Sequence, residues 1–318
     1  MKDSTDTSAL LGQCIRETTV SGRPPDYQGK VRDIYLLPGD RMAIIATDRI
    51  SAFDHIFAEP IPYKGQLLNQ LAWYGFRQIA SVCRHHVLDV PHPNITIARK
   101  CKPLPVEVVV RGYLSGHAWR VYQDGGRELC GQKLPDGLRQ NEAFEQPIIT
   151  PSTKAHQGHD EDISEEKIIN RGLVTAERWE EIRETALNLF RKGTETARKK
   201  GLLLVDTKYE FGLWQGELVL IDEVHTADSS RYFYADTYQR LLEENAPQKQ
   251  LSKEFLREWL IDNGYHGTLD QKLPVLPDEL RISIYRRYRE LYERLTGETF
   301  EPVSTTGFNR YLEELLDQ

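Results

Sequence analysis

The stretch that most constrains the fold is Leu203-Leu-Val-Asp-Thr-Lys-Tyr-Glu-Phe211. In an extended strand successive side chains point to opposite faces, so Asp206, Lys208 and Glu210 share one face of an otherwise apolar segment. Three charges on such a face are costly unless they meet a ligand or one another. The chain turns around Gly212 to Gly216, and Glu217 to Val224 returns as the second arm of a hairpin, bringing Asp222 and Glu223 within reach. An oxygen-rich cluster of this kind suits Mg²⁺, which takes one or two carboxylates together with nucleotide phosphates. Glu210 and Asp222 are therefore the metal candidates, with Lys208 as a neutralising partner. The alternative is a solvated face closed by internal salt bridges.

The surrounding segments place this hairpin in an α+β chain. Lys30 to Leu37 and Arg41 to Asp48 read as a hairpin around Pro38-Gly39-Asp40. Leu67, Leu68, Leu71, Ala72, Gly75 and Ile79 recur at helical spacing, which predicts a helix over Gln66 to Ser81. His85 to Val90 and the β-branched Val106 to Val110 read as strands, the second central and buried. Gly112 to Asp162 shows little periodicity and reads as a long irregular, functional stretch. Trp179, Ile182, Ala186, Leu189, Phe190, Gly193 and Ala197 form one helical stripe, with Thr175 as N-cap and Gly201 as stop. Further helices follow around Phe255 to Leu260, Ile284 to Leu295 and Phe308 to Leu316.

A length of 318 residues suggests about two domains. The expected division is 1–110 as an N-terminal β-rich lobe, 111–250 as a central α/β lobe, and 251–318 as a C-terminal helical segment packed on the central lobe. A cleft between lobes is the natural ligand site.

A net charge of −7 argues against broad nucleic-acid binding but leaves room for a local cationic pocket. Arg281, Arg286, Arg287, Arg289 and Arg294 sit on one helix and would serve a non-enzymatic, RNA- or partner-binding reading. The aromatic and aliphatic stripe there reads instead as a packed helix with a solvated basic face. Cys14, Cys83, Cys101 and Cys130 form no C-x-x-C pair, which fits a reducing cytoplasm. No apolar run approaches the ~20 residues of a spanning helix. With a polar Met1 to Ala9, neither membrane insertion nor secretion is expected. P-loop, dinucleotide and H-E-x-x-H signatures are absent, and Gly112-Tyr-Leu-Ser-Gly116 sets its serine one place off a nucleophile elbow.

Two other clusters carry charge. In Gly29-Lys30-Val31-Arg32-Asp33, Lys30 and Arg32 alternate on one strand face after a glycine, as a hairpin edge over a polyphosphate would need. A surface strand is the alternative. Thr150 to Asp162 contains His156, His159 and Asp160, but no further ligand set has metal-site spacing. It reads as a polar loop whose Asp162 and Glu165 cap a following helix. Arg111, Arg231, Lys253 and Arg257 are separate cations, and arginine suits bidentate contact with carboxylate or phosphate.

Taken in order, these segments resemble one family. Gly29-Lys-Val-Arg-Asp-Ile-Tyr35, Thr47-Asp-Arg-Ile-Ser-Ala-Phe-Asp54, Lys64-Gly-Gln-Leu-Leu-Asn69 and Val110-Arg-Gly-Tyr-Leu-Ser-Gly116 are similar to SAICAR synthetases. So are Pro147-Ile-Ile-Thr-Pro-Ser-Thr-Lys154, Val205-Asp-Thr-Lys-Tyr-Glu-Phe-Gly212 and Ile221-Asp-Glu-Val-His-Thr-Ala-Asp-Ser-Ser-Arg231. The matches run from about Gly29 to Trp259, and the length resembles the longer, yeast-like form.

The resemblance implies a two-lobed α+β fold: an antiparallel β lobe like the small lobe of protein kinases, a larger α/β lobe, and C-terminal helices. ATP would lie between the lobes. It implies an amide-forming ligase of purine biosynthesis that joins L-aspartate to the carboxylate of a phosphoribosyl aminoimidazole (CAIR), using ATP and Mg²⁺. Another ATP-dependent ligase or kinase on the same scaffold is the competing reading. By similarity Lys30 and Arg32 would touch ATP phosphates, Lys154 would be near the nucleotide, and Glu210 and Asp222 would hold Mg²⁺. Arg111, Asp160, Asp206, Lys208 and Arg231 would position the imidazole nucleotide, Lys208 and Arg231 serving catalysis, and Lys253 and Arg257 would meet its phosphate. Many members read Gly-Ser where this chain has Gly116-His117. If that serine bonds substrate, His117 replaces it or leaves the contact to water or Ser115; otherwise His117 faces solvent. Small-molecule substrates, a monomer or small homo-oligomer, and no nucleic-acid or membrane partner complete the expectation.

Overall fold

Every pairing between the named strands is antiparallel. The structure, a computed structural model, describes residues 7–154, 161–268 and 271–316. Helix α1 (Thr7–Leu11) precedes β1 (Tyr27–Gln28), β2 (Arg32–Leu37) and β3 (Arg41–Ala46). The short pair β4 (Ser51–Ala52) and β5 (His55–Ile56) leads into α2 (Lys64–Ile79), β6 (Val87–His92) and β7 (Ile95–Arg99). Next come β8 (Lys102–Tyr113), α3 (Gly116–Gln123), β9 (Glu128–Leu129), β10 (Gln132–Lys133) and β11 (Ala143–Thr153). Helices α4 (Glu165–Asn170) and α5 (Ala176–Arg198) are followed by β12 (Leu202–Trp214), β13 (Glu217–Ile221) and β14 (Ser230–Tyr234). The last elements are α6 (Ala235–Glu243), β15 (Gln250–Leu251), α7 (Glu254–Asp262), α8 (Asp278–Thr296) and α9 (Phe308–Leu316).

The chain divides into two units that interleave in sequence. One comprises Met1–Trp73, Val87–Lys100 and Lys253–Gln318; the other comprises Tyr74–His86 and Cys101–Ser252. The first unit is built on a sheet of order β1-β2-β3-β7-β6. Its core gathers Ile15, Val20, Tyr35, Ala43, Ile45 and Ile95 with Phe308 and Leu312 of α9. Each large side chain buried there contributes roughly 1.5–3 kcal/mol. The linear division 1–110, 111–250 and 251–318 differs from this arrangement at both ends. Helix α9 finds its apolar complement on the first unit's sheet rather than on the 111–250 segment. Residues 102–110 go with the second unit because β8 pairs with β11 and β12.

The second unit holds a sheet of order β11-β8-β12-β14-β15, with β13 also paired to β12. Helix α5 buries the expected stripe from Trp179 to Ala197, and the Thr175 side chain accepts from Arg178 N at its start. Gly112 to Asp162 is more ordered than its sequence suggests: it contains α3, the β9–β10 hairpin and β11. Pro147 and Pro151 masked β11, and they are tolerated because β11 is an edge strand. The hairpin turn is tighter than expected, since β12 runs on to Trp214 and only Gln215 and Gly216 connect it to β13. Ser164, not Asp162 or Glu165, caps α4, accepting from Lys167 N at 3.3 Å.

In α8, Arg281 donates to Asp278 and to Pro60 O, Arg289 to Glu293, and Arg294 to Glu290, while Arg287 lies 3.9 Å over the Phe255 ring. These contacts fit a packed helix whose cations are locally engaged. Among the described residues no helix is long and apolar enough to cross a membrane. All four cysteines are free thiols.

Candidate active site

The second unit carries two charge clusters along one strand. On β12, Asp206 stands opposite Arg111 of β8 on one side and Arg231 of β14 on the other. Arg111 Nη1 lies 3.3 Å and Arg231 Nη1 3.4 Å from the same oxygen, Asp206 Oδ2. Arg111 Nε also donates to Thr150 Oγ1 of β11 at 2.8 Å. Arg231 Nη1 donates to Ser115 Oγ at 2.8 Å, and Ser115 in turn donates to Asn141 Oδ1 at 2.9 Å. All of these side chains are buried. Burial pulls the Arg111 guanidinium down from its ordinary value, with Asp206 opposing that pull. A planar fork fixed in this way is suited to binding carboxylate or phosphate.

Gly116 makes this arrangement possible. Its φ is +56°, and a Cβ there would lie 2.4 Å from Arg231 Nη2. Only a residue without a side chain lets the guanidinium lie against the start of α3.

Two residues along β12, and four from Asp206 at its far end, the second cluster forms around Lys208. Its Nζ donates to Glu210 Oε1 in a short contact, to Glu107 Oε1 at 3.0 Å, and lies 4.0 Å from Asp222 Oδ2. Lys154 makes a second short contact to Glu210 Oε2. Burial works to lower the Lys208 pKa, but the three carboxylates outweigh it and hold the ammonium well above its ordinary value. Burial likewise opposes ionisation of Glu210, yet Lys208 and Lys154 hold it below the usual carboxylate range. Glu107 goes the other way: burial pushes it up to about 7, with Lys208 pulling against that shift.

Three carboxylates thus turn oxygens toward one cation. Among the described residues no group of three or more His, Cys, Asp or Glu is arranged as a ready-made metal cage. That donor chemistry fits Mg²⁺, which binds through one or two carboxylates and completes its shell with phosphate and water.

The expected residues therefore fall into groups. Arg111, Ser115, Asp206 and Arg231 meet, as do Lys154, Lys208, Glu210 and Asp222. His117 does not simply face solvent: its Nε2 lies 2.6 Å from Asp162 Oδ2. That bond holds the Asp162 carboxyl below its usual range against the effect of burial. Asp160 lies outside the described residues, as do His156 and His159. Lys30, Arg32, Lys253 and Arg257 belong to the first unit. There Lys30 forms a close ion pair with Asp54, Arg32 opens β2 opposite Ala46, Lys253 Nζ donates to Ser51 Oγ at 3.4 Å, and Arg257 pairs with Glu254 at 3.1 Å.

Glu107, Thr150 and Asn141 were not anticipated. Glu107 had a signal, as the lone acid in Val106-Glu-Val-Val-Val110. Thr150 lies in the Pro147–Lys154 motif, but nothing along the chain points to its contact or to Asn141, because only the register of β11 and the fold of the loop before it bring them to the site.

A SAICAR synthetase family model matches residues 26–272, which includes every strand of both clusters. The chain belongs to the SAICAR synthetase family. A phosphoribosylaminoimidazole-succinocarboxamide synthase of Bacteroides thetaiotaomicron is 51% identical over 294 residues, covering 92% of this chain and 94% of that protein. The synthase of Cytophaga hutchinsonii is 48% identical over 305 residues, covering 95% and 98%. Among solved structures, SAICAR synthase from Saccharomyces cerevisiae complexed with SAICAR superposes with a TM-score of 0.77 at 34% identity, covering 91% of this chain and all of that one. A type-2 SAICAR synthetase in complex with ADP gives a TM-score of 0.66 at 26% identity, covering 87% and 99%. SAICAR synthetases are amide-forming ligases of purine biosynthesis, and a site of fixed cations and carboxylates accords with that class.

Proposed function

We propose that this chain joins L-aspartate to the carboxylate of CAIR, with ATP converted to ADP and phosphate, through an acyl phosphate. The observation that carries the reading is the convergence of Arg111 and Arg231 on Asp206, on the same strand as the Lys208–Glu210 cluster, in a member of this family. A carboxylate is a poor acylating agent and must be activated. One carboxylate oxygen attacks the γ-phosphorus, the bond to the bridging oxygen breaks, and ADP leaves. The aspartate amine then attacks the acyl carbon, the bond to the phosphate oxygen breaks, and the amine proton passes to water. Such chemistry needs positioning and charge neutralisation more than a protein nucleophile.

In this reading Arg111, Ser115, Asp160, Asp206 and Arg231 orient the imidazole nucleotide, and His117 borders it through Asp162. Lys208 and Arg231 offset charge gathering at the reacting carboxylate, and Lys154 stands by the nucleotide. Lys30 and Arg32 meet ATP phosphates, and Lys253 and Arg257 meet the phosphate of CAIR. Glu210 and Asp222 would hold Mg²⁺, which when bound neutralises charge on the transferring phosphates. The four free thiols support a reducing, cytoplasmic setting, with the chain as a monomer or small homo-oligomer.

One coupled assay tests the activity. With CAIR, L-aspartate and Mg-ATP, SAICAR, ADP and phosphate should appear in equal amounts, and omission of either acceptor should stop ADP release. Turnover with a hydroxyl acceptor and no aspartate would favour a kinase and overturn the reading.

A further inference from the structure

We infer that Arg49 is a positioning residue for the Gly29–Val31 loop and sets the affinity for the ATP phosphates without touching them. This rests on the reading that Lys30 meets those phosphates. Arg49 is buried, and its guanidinium donates to three main-chain carbonyls and to both carboxylate oxygens of Asp33. Nη2 donates to Gly29 O at 3.0 Å, Nε to Lys30 O at 3.1 Å, and Nη1 to Arg16 O at 2.6 Å. Asp33, fully buried at the start of β2, holds the fork in place through Oδ1, 2.7 Å from Nη2. Asp33 is itself fixed by Thr18 Oγ1 at 2.8 Å. The next carbonyl of the loop is also tied, because both N and Oγ1 of Thr47 donate to Val31 O, at 3.1 and 2.8 Å. Three successive carbonyls are therefore anchored by residues Thr47 and Arg49.

The consequence follows from peptide planarity. In a trans peptide the N–H points opposite to the preceding C=O. Anchoring the carbonyls of Gly29 and Lys30 on Arg49 turns the N–H groups of Lys30 and Val31 away from the guanidinium. Successive N–H groups presented in this way form an anion-binding concavity. Arg49 would thus organise the loop from behind, and its own charge is countered by Asp33. Lysine cannot reproduce the role, since it lacks the planar fork that reaches two consecutive carbonyls and a carboxylate together.

The test is equilibrium binding of ATP and AMP to the full chain, together with KM for ATP and for CAIR. Arg49→Met should weaken ATP binding by about tenfold or more, leave AMP binding within about twofold, and leave the KM for CAIR unchanged. Arg49→Lys should recover only part of the ATP affinity. Thr47→Val, a milder change that removes only the Oγ1 bond to Val31 O, should shift the ATP-to-AMP ratio in the same direction and by less; it serves as the deciding variant if Arg49→Met does not fold. An unchanged ATP-to-AMP ratio in the folded variants overturns the positioning role. Lys30→Ala separates the two levels. If it lowers ATP affinity while Arg49→Met and Thr47→Val do not, only the inference about Arg49 fails. If Lys30→Ala leaves ATP affinity intact, the phosphate-loop reading fails and takes the inference with it.

Discussion

Lys208 Nζ lies 3.0 Å from Oε1 of Glu107, a carboxylate supplied by the neighbouring strand β8. Lys208 is thus shared between its own strand and the next, and Glu107 and Glu210, paired in register, face one ammonium. Their opposite pKa displacements follow from that sharing. Glu210 has two lysines that outweigh its burial, whereas Glu107 has one, and burial together with the neighbouring Glu210 charge pushes it up.

The metal assignment predicts that Glu210→Gln and Asp222→Asn each lower turnover on the order of 100-fold while the circular dichroism spectrum stays native. Both should also raise the Mg²⁺ concentration needed for half-maximal rate. Unchanged rate and magnesium dependence in both variants would mean the metal is held elsewhere.

Gly116→Ala should act on substrate affinity. The added methyl would meet the Arg231 guanidinium at 2.4 Å, and the backbone there has φ +56°. The end of a flexible side chain gives way more easily than backbone, so Arg231 shifts from Ser115 and Asp206. The expected outcome is a KM for CAIR raised by roughly tenfold with the KM for ATP little changed. A rise in the ATP KM alone would contradict the placement of Arg231.

His117→Ser should keep turnover and change mainly the KM for CAIR. Its ring is about two-fifths exposed and touches Asp162, so the substitution frees one carboxylate without opening the core. Complete loss of turnover in a folded variant would refute this.

His225 makes stability depend on pH. Burial lowers its pKa from 6.5 to about 4, and its Nε2 lies 2.7 Å from Tyr209 Oη. The folded protein therefore keeps the ring neutral to about pH 4, while the unfolded chain takes up a proton near 6.5. This contribution is fully present above pH 6.5 and is lost as pH falls toward 4, about 3 kcal/mol in all. Urea unfolding at pH 7.5, 5.5 and 4.5 should show the decline, and His225→Gln should flatten it. A variant with the same pH slope as the parent would assign the decline to other groups. Gly193→Ala should destabilise at every pH, because its Cβ would lie 2.5 Å from His225 Cε1.

Periodicity and local chemistry were legible wherever one element answers to its own residues. The α5 stripe and its Thr175 cap, the presence of α8, the extent of α9, and the pairing of acids and lysine along β12 can all be read from spacing, although α8 begins six residues before the stripe that marked it. The run of motifs also identified the family, because several uncommon six- to eight-residue segments occur in order. What could not be read was anything that depends on register between distant strands. Glu107 joins Glu210 only because β8 lies beside β12, and Thr150 reaches Arg111 only because the proline-bearing β11 pairs as an edge. Arg49 lies within the Thr47–Asp54 motif, but nothing along the chain names the carbonyls of Gly29 and Lys30 as its partners. Local sequence determined which side chains share a face, since that follows from the two-residue period of a strand. The tertiary structure decided which charges meet, since hydrogen bonds and ion pairs form over about 3 Å and no spacing along the chain specifies that distance.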